Sequence, residues 1–155
     1  VSCSYNEGRR ALAKRGKHWY GDSQADISAE LLRFSRLNGY PVEHFADAVC
    51  SCGEGTFRLN LDDTAGAAVR VCIFCGAEHP LGDSAEFLVD ANLEGCECPC
   101  GHGVFEITAG VSLYEGSEDV RWLYLGCRCP ACGLVACYGD WKNEYDGYRE
   151  LLGRI

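Results

Sequence analysis

Eight of the twelve cysteines fall into a pattern that occurs twice. Cys50-Ser-Cys52-Gly-Glu-Gly-Thr-Phe57 recurs as Cys98-Pro-Cys100-Gly-His-Gly-Val-Phe105, a C-x-C-G-x-G-x-F turn. Cys72-Ile-Phe-Cys75-Gly76 recurs as Cys129-Pro-Ala-Cys132-Gly133, a C-x-x-C-G turn. Each turn aims two thiols at one point, and the glycine after the second sulfur lets the backbone take a positive φ. Two such turns supply the four soft ligands, about 2.3 Å from the ion, that a tetrahedral zinc requires. The spacing therefore predicts two structural Zn²⁺ ions, one on Cys50, Cys52, Cys72 and Cys75, the other on Cys98, Cys100, Cys129 and Cys132. A closed set of four sulfurs leaves no open position for a water or a substrate, so these are scaffold sites rather than catalytic ones. A rubredoxin-type iron centre takes the same four-sulfur geometry and is one rival. A disulfide framework is the other, but it does not explain why the cysteines come as C-x-C-G and C-x-x-C-G.

The elements that must position these turns follow from the residues between them. Phe57, Leu59 and Leu61 alternate after the first C-x-C turn, as do Phe105 and Ile107 after the second, which is strand periodicity. The second interval is the longer, with strand-like runs at Val104–Tyr114 and Val120–Leu125 around a polar turn, and predicts a longer hairpin arm. Two knuckles joined by a β-hairpin resemble the zinc-ribbon, or rubredoxin-like, fold group, over about residues 50–82 and 98–139. The resemblance implies an α+β fold of two tandem zinc ribbons. The first C-x-C departs from that group's usual C-x-x-C. The departure makes the register of the second site ambiguous, because Cys96-Glu-Cys98-Pro-Cys100 and Cys127-Arg-Cys129 offer overlapping pairs. Only Cys98/Cys100 is followed by G-x-G-x-F, so the repeat selects it.

Three helices are expected to buttress the ribbons. Ile27, Leu31 and Phe34 share one face, with Asn38-Gly39 as a stop, predicting a helix over about 23–38. Gly-Asp pairs at Gly82-Asp83 and Gly139-Asp140 suggest N-caps for helices near 84–93 and 141–152. The expected organisation is a basic segment (1–20), a helix and linker (21–49), ribbon 1 with its helix (50–95) and ribbon 2 with a C-terminal helix (96–155), in one compact unit.

Charge narrows the function. The net charge is −9, but residues 1–20 carry Arg9, Arg10, Lys14, Arg15 and Lys17 against Glu7 alone, a net +4, so residues 21–155 carry −13. Such a body repels phosphate backbones and suits a basic protein partner. The basic start reads as a solvated terminus. No early stretch has the layout of a signal peptide, and no apolar run reaches the roughly 20 residues of a membrane span. The expected setting is the cytoplasm, with thiolates rather than disulfides.

Enzyme signatures are missing. None of the four histidines begins H-x-E, and P-C-x-x-C, H-E-x-x-H and a phosphate-cradling G-K-[ST] are all absent. Read alone, Cys129-Pro-Ala-Cys132 looks like a redox pair, but it has a copy at Cys72–Cys75 and no helix pattern follows it. The remaining cysteines, Cys3, Cys96, Cys127 and Cys137, read as buried small side chains, with Cys96 and Cys127 close to the second site. His102 stands beside a ligand and reads as a turn residue or an additional donor. Trp122, Tyr124, Trp141 and Tyr145 are the candidate partner surface, since aromatic anchors dominate interfaces. The sequence thus predicts a non-enzymatic, zinc-containing protein-interaction module, one form of which is an acidic inhibitor or antitoxin-like protein. The alternatives are nucleic-acid binding through Arg9–Lys17 and thiol redox chemistry at Cys3, Cys96 or Cys127.

Overall fold

A computed structural model describes residues 12–155. In chain order the elements are β1 (Ala13–Arg15), β2 (His18–Tyr20), α1 (Ala25–Asn38), β3 (His44–Asp47), β4 (Phe57–Asp62), β5 (Ala67–Cys72) and β6 (Glu78–Pro80). A 3-10 turn (Ser84–Phe87) follows, then β7 (Glu94–Gly95), β8 (Glu106–Leu113), β9 (Val120–Arg128), β10 (Leu134–Lys142) and α2 (Tyr148–Leu152). The fold class is α+β, built on two antiparallel sheets. One has six strands in the order β1-β2-β10-β9-β8-β3, the other four in the order β6-β5-β4-β7.

Period-two alternation sorts the strand residues into two cores. Ile107, Ala109, Val111, Leu123, Leu125 and Cys127 face the smaller sheet, where Phe57, Leu59, Ala68 and Leu81 meet them. The opposite face presents Tyr124 and Val135 to Ile27 and Leu31 of α1 and to Val42. The result is three layers: helix, large sheet, small sheet.

Helix α1 lies close on its sheet because two strand positions beneath it have no side chain. A Cβ on Gly126 would lie 3.0 Å from Leu31 Cγ and closer still to Ile27 Cγ2. A Cβ on Gly110 would lie 2.8 Å from a Val42 methyl. The helix ends where Gly39 turns left-handed at φ 87° and donates its N–H to the Arg36 carbonyl. Tyr124, fully buried, donates to the Tyr40 carbonyl at 2.7 Å and accepts from Asn38 Nδ2 at 2.9 Å, which ties that end to the sheet.

The helical expectations narrow. Near 84–93 there is one 3-10 turn. The stretch from 141 begins as strand: Trp141 and Lys142 complete β10, and only Tyr148–Leu152 is helical. Gly139-Asp140 caps no helix. It lies within β10 at a register shift between Cys137 and Gly139, and Asp140 accepts from Trp122 Nε1 at 2.9 Å. At α1 the N-cap residue is Gln24, with no side-chain capping bond, and Asp26 in the first turn accepts from the N–H groups of Asp22 and Ser23 before the helix.

The described part of the basic segment, residues 12–20, forms a hairpin whose first strand is exposed to solvent. Lys14 and Arg15 lie on β1 and Lys17 in the turn to β2, and the hairpin extends the large sheet beyond β10. Cys3, Arg9 and Arg10 lie outside the described residues.

Candidate metal centres

Each four-cysteine set is assembled from the ends of one hairpin. The C-x-C turn precedes β4 or β8, and the C-x-x-C knuckle follows β5 or β9, so antiparallel pairing returns the chain to its start. The pairings Phe57↔Cys72 and Glu106↔Arg128 fix this return. The backbone bonds of the two copies correspond one to one. Cys50 and Cys98 donate to the carbonyls of Glu54 and His102, at 2.9 and 2.7 Å. Gly76 and Gly133 donate to the carbonyls of Cys72 and Cys129, at 3.0 and 2.7 Å. These glycines hold φ of 73° and 83°, which favours residues lacking a Cβ.

The sulfurs converge. Cys50–Cys75, Cys52–Cys72, Cys98–Cys132 and Cys100–Cys129 are each separated by 3.6 Å, Sγ to Sγ. Within each set all four sulfurs lie within 4.8 Å of one another. A tetrahedron with metal–sulfur bonds of about 2.3 Å has edges of about 3.8 Å, whereas a disulfide is about 2.05 Å. Both sets therefore fit one tetrahedral ion each, and all described cysteines are free thiols. When bound, such an ion cross-links the two ends of its hairpin.

Burial is asymmetric within each set. Cys50, Cys72, Cys98 and Cys129 belong to the core between the sheets, while Cys52, Cys75 and Cys100 are exposed and Cys132 is half-buried. Within each set the shifts oppose one another: backbone donors lower the Cys50, Cys72 and Cys100 thiols, whereas burial and the neighbouring thiols leave Cys52, Cys75, Cys98 and Cys132 raised. His102 Nδ1 lies 3.4 Å from the Cys100 sulfur on an exposed turn, which makes it a hydrogen-bonding neighbour of the second set.

The other cysteines stand apart. Cys127 is fully buried, and burial pushes its thiol well above the ordinary value. Burial likewise pushes Cys96 up to about 11 and raises Cys137. Among the described residues they join no third metal-binding group. At all three, burial disfavours the charged thiolate form.

The four aromatic residues expected to form a partner surface divide. Tyr124 is fully buried and Trp141 is 7% exposed, so burial removes both from an open surface. Trp122 stacks on Tyr40 with ring centroids 5.0 Å apart. Trp122 and Tyr124 belong to the core under α1. Tyr145 is half-buried in the link between β10 and α2, and its carbonyl oxygen accepts from the Val120 N–H at 2.9 Å.

A feature that sequence reasoning missed is where the two copies meet. Phe57 and Phe105, equivalent in the repeat, exchange reciprocal N–H···O bonds of 2.8 Å each and are fully buried. The shared G-x-G-x-F was the available signal. No family model, curated protein or solved structure matches the chain. Among the described residues no helix is long and apolar enough to cross a membrane.

Proposed function

We propose that this protein is a non-enzymatic interaction module of a reducing, cytoplasmic setting, in which two structural zinc ions brace a surface that binds a basic protein. The observation that supports the reading best is the closure of both sulfur sets: each has four thiols at tetrahedral spacing, which leaves no coordination position for catalysis. The acidic body supplies the charge complementarity for a basic partner. An inhibitor or antitoxin-like protein that covers a basic enzyme is one form of this reading.

Zinc binding in such sites is folding free energy, about 10–16 kcal/mol in zinc-finger peptides, against about 5–15 kcal/mol for the whole stability of a typical domain. Native mass spectrometry should find two zinc ions per chain, and excess chelator should abolish the cooperative thermal transition. A chain that carries no metal, or that keeps its full transition in chelator, would overturn the metal half of the proposal. A pull-down with the zinc-loaded chain tests the other half: it should retain a protein of high isoelectric point, released by salt.

A second reading is supported by the β1–β2 hairpin, which places Lys14 and Arg15 on an exposed edge strand. Nucleic-acid binding there predicts retention on DNA or RNA that falls steeply with salt and disappears in a Lys14→Glu/Arg15→Glu/Lys17→Glu chain.

A further inference from the structure

Two neighbouring cavities, of about 310 and 440 Å³, meet around Asp83, Phe87 and Glu144. They lie where the β4–β5 turn, the 3-10 turn and the end of β10 come together. Their shared wall contains a carboxylate that is nearly buried: Asp83 is 7% exposed. Its side-chain partner is neutral, the Asn143 amide, which donates to both carboxylate oxygens at 3.1 Å. Among the described residues no salt bridge reaches Asp83. The nearby cations are each paired with another carboxylate: Lys142, which lines the smaller cavity, with Glu144 at 3.0 Å, and Arg154, whose charge also reaches Asp83, with Glu150 at 2.6 Å. Burial raises the Asp83 carboxyl, and the Asn143 bonds only partly offset that. A buried carboxylate is ordinarily matched by a cation.

A second, independent observation points to the same cavity. Trp141 lines it and is 7% exposed, and its indole N–H has no acceptor. The indole edge bearing that N–H faces the Cβ position of Gly66, another lining residue. Buried indole donors ordinarily find a partner. The larger cavity continues the negative charge through Glu86 and Asp146, Glu150 being paired with Arg154, and Phe87, 44% exposed, stands between the two. An occupant that suits all of this carries a cation for Asp83, a carbonyl oxygen for the indole and an aliphatic stem for Phe87.

We propose that this cleft takes a lysine or arginine side chain of a basic peptide segment, with Asp83 receiving the cation and the Trp141 N–H a backbone carbonyl of the same segment. The proposal rests on the reading that the partner is a basic protein, and gives that reading a location. The cleft lies at the turn end of the β4–β5 hairpin, opposite the end that carries the cysteines.

The test is a ¹⁵N NMR titration of the zinc-loaded full chain with acetyl-Gly-Lys-Gly-amide, its Nε-acetyl-lysine counterpart and spermidine. The lysine peptide should shift the Trp141 indole resonance and the Gly66 and Phe87 amides, with saturation at millimolar concentration. The acetylated peptide should shift none of them. Asp83→Asn should weaken the lysine peptide at least about tenfold, the loss expected of a charge-assisted hydrogen bond. Should Asp83→Asn fail to fold, Phe87→Ala, on an exposed side chain, should weaken it about threefold or more. An unmoved Trp141 indole, or a variant that binds as tightly as the parent, overturns the proposal. So does spermidine if it reproduces the indole shift, because the occupant is then a small amine. A basic protein retained equally by the parent and by Phe87→Ala removes the cleft while leaving the proposed function standing. Failure to retain any basic protein removes that function, and the peptide titration still decides the cleft.

Discussion

Gly126→Ala is the sharpest test of how the helix layer is held. A methyl at this position would enter a space whose atoms are Leu31 Cγ and Cδ2 at 3.0 Å and Ile27 Cγ2, which is nearer. Ordinary carbon contacts begin at about 3.5 Å, so α1 or the strand must move by at least half an ångström. Rotation of Ile27 is a poor escape, because a β-branched side chain in a helix keeps essentially one χ1 rotamer. Alanine in a strand gains about 0.5–1 kcal/mol over glycine from the backbone. Overpacking costs about 1–3 kcal/mol, and the close approach puts this site toward the upper end. The net expectation is a loss of about 2 kcal/mol, or about 4–8 °C in Tm for a chain of this size. Ile27→Ala alone should cost about 2–5 kcal/mol, since Ile27 is fully buried. In the double variant the new methyl occupies space that Ile27 vacated, so the losses should fall short of additivity by about 1 kcal/mol or more. Thermal denaturation of all four zinc-loaded proteins, followed by circular dichroism with zinc content verified, completes the cycle. A neutral Gly126→Ala, or strict additivity, would refute the close-approach reasoning.

Other outcomes follow from the same coordinates. Cys129→Ser removes a fully buried ligand and should lower both Tm and the zinc count from two to one, whereas Cys100→Ser, at an exposed ligand, should lose the same ion with a smaller fall in Tm; native mass spectrometry and thermal scans read the two effects. Cys127 in the zinc-loaded protein should resist iodoacetamide at pH 8, where a free model thiol reacts within minutes, and should react only after unfolding; peptide mass mapping detects modification, and fast labelling of the folded chain would contradict its burial. Asp83 has its folded value raised, so the folded chain holds the proton more tightly, and the carboxylate destabilises the fold as pH rises through and above the unfolded value of about 3.9. Asp83→Asn should therefore gain Tm relative to the parent as pH rises from about 3 through the unfolded value and on through the raised folded one; a gap that narrows over that rise would reverse the sign.

The cysteine turns were legible because ligation is local. C-x-C-G and C-x-x-C-G each specify a turn within a few residues, and the duplication served as its own alignment. Helix α1 was legible for the same reason, through the Ile27, Leu31 and Phe34 spacing and the Gly39 stop. Misreadings came where one residue interrupts a period. The register shift between Cys137 and Gly139 hides the continuation of β10, so Trp141 reads as one turn of helix before Tyr145, although it pairs with Leu123 in the sheet. The β1–β2 hairpin had a visible signal: Gly16, at φ 62°, opens the two-residue turn Gly16-Lys17, and glycine first is what such a turn prefers. The run of positive charge around it directed attention to a tail instead. The Asp83 cleft had no local signal, because its parts come from residues near 66, 83 and 141 that only the packed sheets bring together.

The two halves of the repeat are joined at equivalent points. Phe57 and Phe105 trade hydrogen bonds across a local two-fold relation, the intramolecular counterpart of an isologous interface. Each phenylalanine follows its C-x-C turn by five residues, so both metal centres flank the contact between repeats. The inner sulfurs Cys50, Cys72, Cys98 and Cys129 share one core with those phenylalanines. An ion bound at either site would restrain the start and the end of its own hairpin beside a contact that the other hairpin also needs. Loss of one ion should therefore lower the Tm of a single shared transition rather than melt one hairpin alone. The Asp83 cleft sits at the far end of the first hairpin, about 17 Å of strand away from the knuckle. At that distance zinc acts on the cleft only by keeping β4 and β5 in register. An ion closed off by four sulfurs can brace one end of a hairpin and leave the other end free, and each cysteine set offers four sulfurs within 4.8 Å of one another.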